Sequence, residues 1–369
     1  MKKLAVGLMS GTSGDGVSLA LCTFNKRTFE LLGYKTFPYP PALSKKILQG
    51  PSLKANEISQ LNMQLGIFFA DSTQKFLRQL RIATSRVSVI GSHGQTIYHG
   101  PKDDPRNTLQ IGEPSFMAEQ TGIPVVADFR MRDLAAGGGG APLIPFFDRY
   151  FFGSGRLRAM QNIGGISNVA VVGRSIPLIA FDIGPGNCLI DLAVQSRTKN
   201  RLLFDGAGKI ARKGKINMKA VKAMLSHPYF RKRPPKSTGR ELFNGAFIPS
   251  ALKKEKFENL VASLTYFTAA AITDSYRKFI KYPFSEVVVS GGGALNLTLM
   301  NHLRNLLKPV PVRPISKWGI PVQAKEPIAF AFFALKALEG KTNHSPEGTG
   351  AKRASILGKI IPGKNHATA

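Results

Sequence analysis

Gly7-Leu8-Met9-Ser10-Gly11-Thr12-Ser13-Gly14-Asp15-Gly16 follows an apolar start at Leu4 and runs straight into the apolar stretch Val17–Phe24. Strand, turn, strand is the signal this pattern carries. Glycines crowded with Ser and Thr let backbone N–H groups and hydroxyls close around phosphate oxygens. The turn leads into a strand rather than a helix, which disfavours a single Rossmann unit. Two more glycine turns follow apolar runs further along, Asn162-Ile163-Gly164-Gly165-Ile166-Ser167-Asn168 and Ser290-Gly291-Gly292-Gly293-Ala294-Leu295-Asn296. Between them stands Asp182-Ile183-Gly184-Pro185-Gly186-Asn187. Together the turns predict a nucleotide held in a cleft between two lobes, the layout of a phosphotransferase.

Working outward, Leu4–Met9, Val17–Phe24 and Phe29–Thr36 read as an antiparallel meander. Leu61, Leu65, Phe68, Phe76, Leu77 and Leu80 fall mostly at helical spacing, so Ile58–Leu80 is expected to be an amphipathic helix. Val87–Ile90 and Pro124–Asp128 are short strands. The glycine run Gly137–Gly140 is a hinge or a loop. Beyond it, Ala159–Gln161, Val169–Val172 and Leu178–Phe181 repeat the strand–turn–strand theme. A long helix through Leu260, Leu264, Phe267, Ile272 and Tyr276 precedes a buried strand, Glu286–Val289, and a helix over Leu297–Leu307. Strands followed by helices in each half give an α/β protein with two related lobes.

With 369 residues the chain is long enough for two domains with their own cores. Composition is globular, 43% hydrophobic and 20% charged. The longest apolar stretch, Pro327 to Leu335, is too short to span a bilayer, which takes about 20 residues. Met1-Lys2-Lys3-Leu4 resembles the start of a signal peptide, but no small-residue cleavage site follows. Two cysteines, Cys22 and Cys188, are too few for a disulfide framework, and a cytoplasmic setting is expected. A net charge of +29 on its own favours a nucleic-acid or membrane-surface partner. The basic residues are dispersed, however. Their densest cluster, Arg231-Lys232-Arg233 with Lys236 and Arg240, is interrupted by Pro234 and Pro235 and lacks interleaved aromatics. Neither a membrane nor a nucleic acid is the expected partner.

Asp182 closes the apolar run Leu178–Phe181, so its carboxylate is expected at a strand tip, where sites gather. Gly184 and Gly186 allow a ligand close, and Asn187 is placed to cap a helix over Cys188–Val194. A carboxylate shielded there has its pKa raised and serves as a general base. The competing reading is an aspartate bonding its own backbone in an Asx-turn. Ser10–Ser18 is two-sided in the same way. Either Gly11, Thr12, Ser13 and Gly14 wrap phosphates with Asp15 as a direct or water-relayed Mg²⁺ ligand, or the segment is an ordinary glycine-rich hairpin. No Walker A pattern supports the first reading. His93 with Gln95 and Thr96, and Arg130 with Arg132 and Asp133, suit a hydroxylated, acidic ligand, since an arginine fork matches a carboxylate. His93 and His99 lack further spaced ligands for zinc. Ser237-Thr238-Gly239-Arg240-Glu241 is a substrate loop or a helix N-cap with a capping-box-like Glu. Glu326, before Pro327 and the apolar helix Ile328–Leu338, faces a ligand or favours the helix N-terminus electrostatically.

In order, Met9–Gly16, Gly91-Ser92-His93-Gly94-Gln95-Thr96, Asp128-Phe129-Arg130-Met131-Arg132-Asp133, Asn162-Ile163-Gly164-Gly165, Phe181–Asn187, Ser237–Glu241 and Gly291-Gly292-Gly293 resemble the anhydro-N-acetylmuramic acid kinases. The resemblance runs from about Val6 to Leu357-Gly358-Lys359. It implies an actin-like ATPase fold of two RNase-H-like lobes around a central cleft, with lobe I at 1–128 completed by about 330–369 and lobe II at 129–329. It implies ATP- and Mg²⁺-dependent opening of 1,6-anhydro-N-acetylmuramic acid by water, with phosphorylation of O6, in peptidoglycan recycling. By the same resemblance Asp182 is the catalytic base. ATP lies on Gly11, Thr12, Ser13, Gly14, Asp15, Gly16, Val17 and Ser18, with Gly164, Gly165, Gly291, Gly292 and Gly293. His93, Arg130 and Glu326 face the sugar, and the enzyme is a homodimer. Two positions depart from the family: Ser18 stands where Asp is usual, and Ile183 where Thr is usual. The alternative is a nucleotide-switched binding protein of the actin/Hsp70 type without sugar chemistry.

Overall fold

Leu4, Val6 and Leu8 alternate along β1 (Leu4–Ser10) and share one core with Val17, Leu19 and Leu21 of β2 (Gly16–Phe24). Period-two spacing puts such residues on one face of a strand. The computed structural model, which describes residues 3–174 and 176–364, pairs β1 antiparallel with β2, and β2 antiparallel with β3 (Phe29–Pro38). The expected meander is present. β4 (Val87–Gly100) lies parallel to β1 with Gly7 opposite Gly91. It runs well past Ile90, because Gln95–Gly100 pairs with β5 (Asn107–Ile111), a strand the sequence reading missed. β6 (Val125–Ala127) is parallel to β4.

A second sheet repeats the scheme. β7 (Arg158–Ile163), β8 (Ile166–Val172) and β9 (Ile179–Pro185) form an antiparallel meander. β10 (Glu286–Ser290) joins β7 in parallel, and β11 (Val312–Pro314) joins β10. β12 (Lys359–Ile361) returns to the first sheet, antiparallel to β6. The strand orders, β12-β6-β4-β1-β2-β3 and β11-β10-β7-β8-β9, therefore share one core pattern. A three-strand meander carries two parallel strands beside its first strand. That is the RNase-H-like arrangement, present twice, with helices as the crossovers that parallel strands require.

The chain divides into two units, one running to Phe151 and resuming at Ala324, the other Phe152–Gln323. The expected divisions were after residue 128 and before 330. The first moves because the helix Ile144–Phe152 belongs with the first sheet: Phe151 lies 4.9 Å from Phe29 and 4.8 Å from Phe332, ring centre to ring centre. The run Gly137–Gly140 is a pinned loop rather than a hinge. Gly140 N–H donates to Asp133 Oδ2 at 2.7 Å, and Gly139 N–H to the Thr349 carbonyl at 2.8 Å. In the same unit the apolar helix Lys325–Leu338 sits directly on β1 and β4. A Cβ at Gly7 would come within 1.7 Å of the Pro327 carbonyl oxygen, and one at Gly91 within 2.1 Å of the Phe330 carbonyl oxygen. Glycine is what lets backbone meet backbone there.

Candidate active site

In the unit Phe152–Gln323 the glycine turns converge. β7 ends at Ile163, and Gly164 and Gly165 turn the chain into β8. Their carbonyls accept from the turn after β9: Asn187 N–H donates to Gly164 O at 2.8 Å, and Gly186 N–H to Gly165 O at 2.9 Å. Gly291, at φ +84°, passes so close to the first turn that a Cβ would lie 2.6 Å from the Ile163 carbonyl oxygen; one at Gly293 would meet the Ile163 side chain. Thr268, on the long helix Phe257–Phe279, ties the Gly186 carbonyl from below at 2.8 Å. Gly164, Gly165, Gly291, Gly292 and Gly293 are thus gathered at one end of one sheet. Asn187 does not use its side chain to cap the helix Cys188–Arg197. Its backbone already has helical angles (φ −89°, ψ −16°) rather than the extended ones of a capping residue, and its Nδ2 donates to the Ile163 carbonyl at 3.4 Å.

Asp182 lies on β9 opposite Asn168 of β8. Its Oδ2 accepts from Ser237 Oγ at 2.9 Å and from Thr238 N–H at 3.1 Å. Oδ1 carries no hydrogen bond among the described residues. Its backbone is held as well: Asp182 N–H donates to the Lys236 carbonyl at 3.1 Å, and Tyr229 O–H donates to the Asp182 carbonyl at 2.8 Å. Burial pushes the carboxyl above the ordinary aspartate range, and Glu241 adds to that. The hydrogen bonds from Thr238 and Ser237 and the charge of Lys236 pull it back. The partners come from another segment, so the side chain is not an Asx-turn. Nor does Ser237–Glu241 open a helix; the segment is irregular chain, and its first two residues are spent on Asp182.

In the other unit the β1–β2 turn is closed by Gly14 N–H to Gly11 O at 3.2 Å, with Gly14 at φ +63°. Thr12, Ser13 and Asp15 are exposed, and Ser13 Oγ donates to Asp15 Oδ1 at 2.7 Å. Val17 is different. Its side chain is in the hydrophobic core and its backbone pairs with Ser10 of β1 and Phe37 of β3, so the fold does not present it to a ligand as expected. Ser18 Oγ lies 2.8 Å from Thr36 Oγ1 and 3.4 Å from Tyr34 O–H, a hydroxyl cluster.

His93 is buried on β4. Arg130, on the helix Phe129–Ala135, donates its Nε–H to His93 Nε2 at 3.0 Å. Arginine has only donors, so Nε2 must accept, and Nδ1 carries the proton it gives to the Gly94 carbonyl at 2.9 Å. Burial, then the Arg130 charge, lowers the His93 pKa to about 3, so the ring is neutral. Burial lowers Arg130 to about 10, opposed by Glu326. The Arg130 Nη groups make no hydrogen bond among the described residues and form an open fork. Glu326 opens the helix Lys325–Leu338. Burial pushes its carboxyl up, Lys325 and Arg130 oppose, and Asp148 adds to the rise. Lys325 Nζ is itself paired with buried Asp148 at 3.1 Å. His93, Arg130 and Glu326 are therefore one cluster. Asp133, expected beside Arg130 at the ligand, faces inward, because Thr349 Oγ1 and Gly140 N–H occupy its oxygens.

The sequence profile of the anhydro-N-acetylmuramic acid kinases matches residues 3–363. The chain belongs to this family. An anhydro-N-acetylmuramic acid kinase of Caldanaerobacter subterraneus subsp. tengcongensis is 42% identical over 97% of each chain. One of Bacillus cereus is 38% identical over 96% of this chain and 98% of its own. Among solved structures, the activator of 2-hydroxyisocaproyl-CoA dehydratase from Clostridium difficile with bound ADPNP aligns at TM-score 0.46 and 11% identity, over 92% of this chain and 96% of that one. The repeated strand order, rather than that likeness, fixes the fold. No helix among the described residues is long and apolar enough to cross a membrane. Sequence reasoning missed how this kinase-family chain holds its acidic groups: Tyr229, Lys236, Ser237 and Thr238 around Asp182, and Lys325 with Asp148 beside Glu326. Ser237 and Thr238 lay inside a quoted motif. For Lys325 and Asp148 the only signal was a charge set within an apolar run.

Proposed function

We propose that this chain uses water and ATP to convert 1,6-anhydro-N-acetylmuramic acid into N-acetylmuramic acid 6-phosphate and ADP. Family membership over residues 3–363 supports the substrate and the reaction. The observation that carries the mechanism is the Asp182 carboxylate, with one oxygen fixed by Ser237 and Thr238 and the other unengaged. A base held by one oxygen keeps its direction while the other takes a proton. Water oxygen bonds to C1 of the sugar and gives its proton to Asp182 Oδ1. The C1–O6 bond breaks with its electron pair passing to O6. O6 bonds to the γ-phosphorus, and the bond from that phosphorus to the oxygen bridging to the β-phosphorus breaks, leaving ADP.

The open Arg130 fork supports an acidic sugar, because it matches a carboxylate in geometry and charge, and the unengaged Glu326 supports recognition of a sugar hydroxyl. The turn Gly11–Asp15, exposed at Thr12, Ser13 and Asp15, and the gathered turns Gly164–Gly165 and Gly291–Gly293 support phosphate binding through the backbone N–H groups they leave unpaired among the described residues. Asp15 is exposed and carries Ser13 on one oxygen only, which suits Mg²⁺, an ion that keeps water and phosphate as most of its ligands. When bound, that ion neutralises charge on the phosphates. Incubation with ATP and the anhydro sugar in ¹⁸O-water, read early by mass, should give a sugar phosphate labelled on the sugar and not on phosphorus. Asp182→Asn should lower turnover by about a hundredfold or more while ATP still binds. Full activity in that variant removes Asp182 from the mechanism; ATP binding with no sugar phosphate in the parent favours the nucleotide-switched alternative.

A further inference from the structure

Lys236 is the least expected side chain near Asp182. Its Nζ is buried and has no hydrogen-bond partner among the described residues. Instead it lies 4.6 Å from the ring centre of Phe279, 4.8 Å from that of Tyr229 and 5.8 Å from that of Phe181. Aromatic faces recover part of the solvation that burial removes from an ammonium, but a lysine or a neutral residue could fill such a box. Two features connect this one to the acid. The Lys236 carbonyl accepts the Asp182 N–H, and the next two residues, Ser237 and Thr238, hold Asp182 Oδ2. The box is also built around Asp182: Phe181 precedes it on β9, and Tyr229 donates to its carbonyl.

We propose that Lys236 is a positioning residue for the Asp182 base: its aromatic-boxed ammonium anchors the loop that fixes Oδ2 and adds a positive charge that favours the carboxylate form. This rests on the reading of Asp182 as the base. The charges that bear on the pair come from three elements. Asp182 itself is on β9, Glu241 on the loop opposes ionisation of Asp182, and Asp274 and Lys278 on the helix Phe257–Phe279 act on Lys236 with opposite signs. Burial lowers the Lys236 pKa to about 8, so the ammonium is present over the acid limb of any activity profile.

Lys236→Met separates the two roles a lysine could have here. Methionine has a similar stem and a sulfur that packs well against aromatic rings, so a lysine that only fills the box is replaced at little cost. If the charge matters, the acid limb of the kcat/KM profile moves up by about half a pH unit or more. In addition kcat falls about tenfold with KM nearly unchanged, and Lys236→Arg restores both. Lys236→Gln gives the same reading should the Met variant not fold. A folded neutral variant with parental kcat and an unmoved acid limb overturns the proposal. Carboxyl-carbon NMR of Asp182 in parent and Lys236→Met follows the same titration without turnover. The proposal therefore fails by an unchanged Asp182 titration, whereas the reading of function fails by the absence of sugar phosphate from the parent.

Discussion

His93 shows how one residue's state is fixed by what surrounds it. Its ring would titrate near pH 6.5 in an unfolded chain, but burial and Arg130 bring that to about 3 in the folded one. The neutral ring is the form the fold accepts. Stability from this site is therefore complete above about pH 6.5 and is lost progressively as pH falls toward 3. At pH 5 the loss is about 2 kcal/mol relative to pH 8. Denaturant titrations at the two pH values should show the parent losing about that much more than His93→Gln, which keeps an acceptor for Arg130 without a titrating ring. Equal losses would mean that His93 is not held neutral. Asp182 is governed by the same kind of balance. Burial, with Glu241, raises its carboxyl above the ordinary aspartate range, and the Thr238 N–H, the Ser237 hydroxyl and the Lys236 charge oppose that rise without cancelling it. The existence of both residues was legible in their motifs. Their partners were not, because Arg130 and Ser237 lie far along the chain from the groups they touch.

At the scale of elements, the strand–turn–strand signals were read correctly because turn chemistry and alternation are written in adjacent residues. Strand lengths were not. β4 was cut short at Ile90, since its second half gains its partner only from β5. The contact of the helix Lys325–Leu338 with β1 and β4 was also invisible, although Gly7 and Gly91 mark it. Because an added Cβ at either site meets helix backbone and not a movable side-chain end, Gly7→Ala and Gly91→Ala should each cost about 3 kcal/mol or more. A Cβ at Gly206 meets nothing within 4 Å, so Gly206→Ala is the control. Thermal melts of the three variants test this. Parental melting of Gly7→Ala would show that the helix can shift off the sheet.

For the whole molecule, the repeated strand order has a consequence for folding. Phe152–Gln323 is one continuous segment with a complete sheet, whereas the other unit is assembled from two separated segments. The continuous segment should fold alone, giving a cooperative melt by circular dichroism, because its strands and the helix Phe257–Phe279 bury one another without outside help. Residues 1–151 without the segment from 324 onward should not, since they lack the helix that covers β1 and β4. A cooperative melt from 1–151 alone would show that this sheet does not depend on the helix Lys325–Leu338.

The amino-acid sequence by itself determined the α/β class, the paired meanders, the glycine turns and the family, because each is encoded by neighbours along the chain or by motifs kept in order. Only the tertiary structure decided which turns meet, where the units divide and what each acidic group feels. Asp182 with Lys236, Ser237 and Thr238, Arg130 with His93, and Lys325 with Asp148 are joined by folding alone. Hydrogen bonds and charges act over a few ångströms of space, and distance along the sequence does not report that separation.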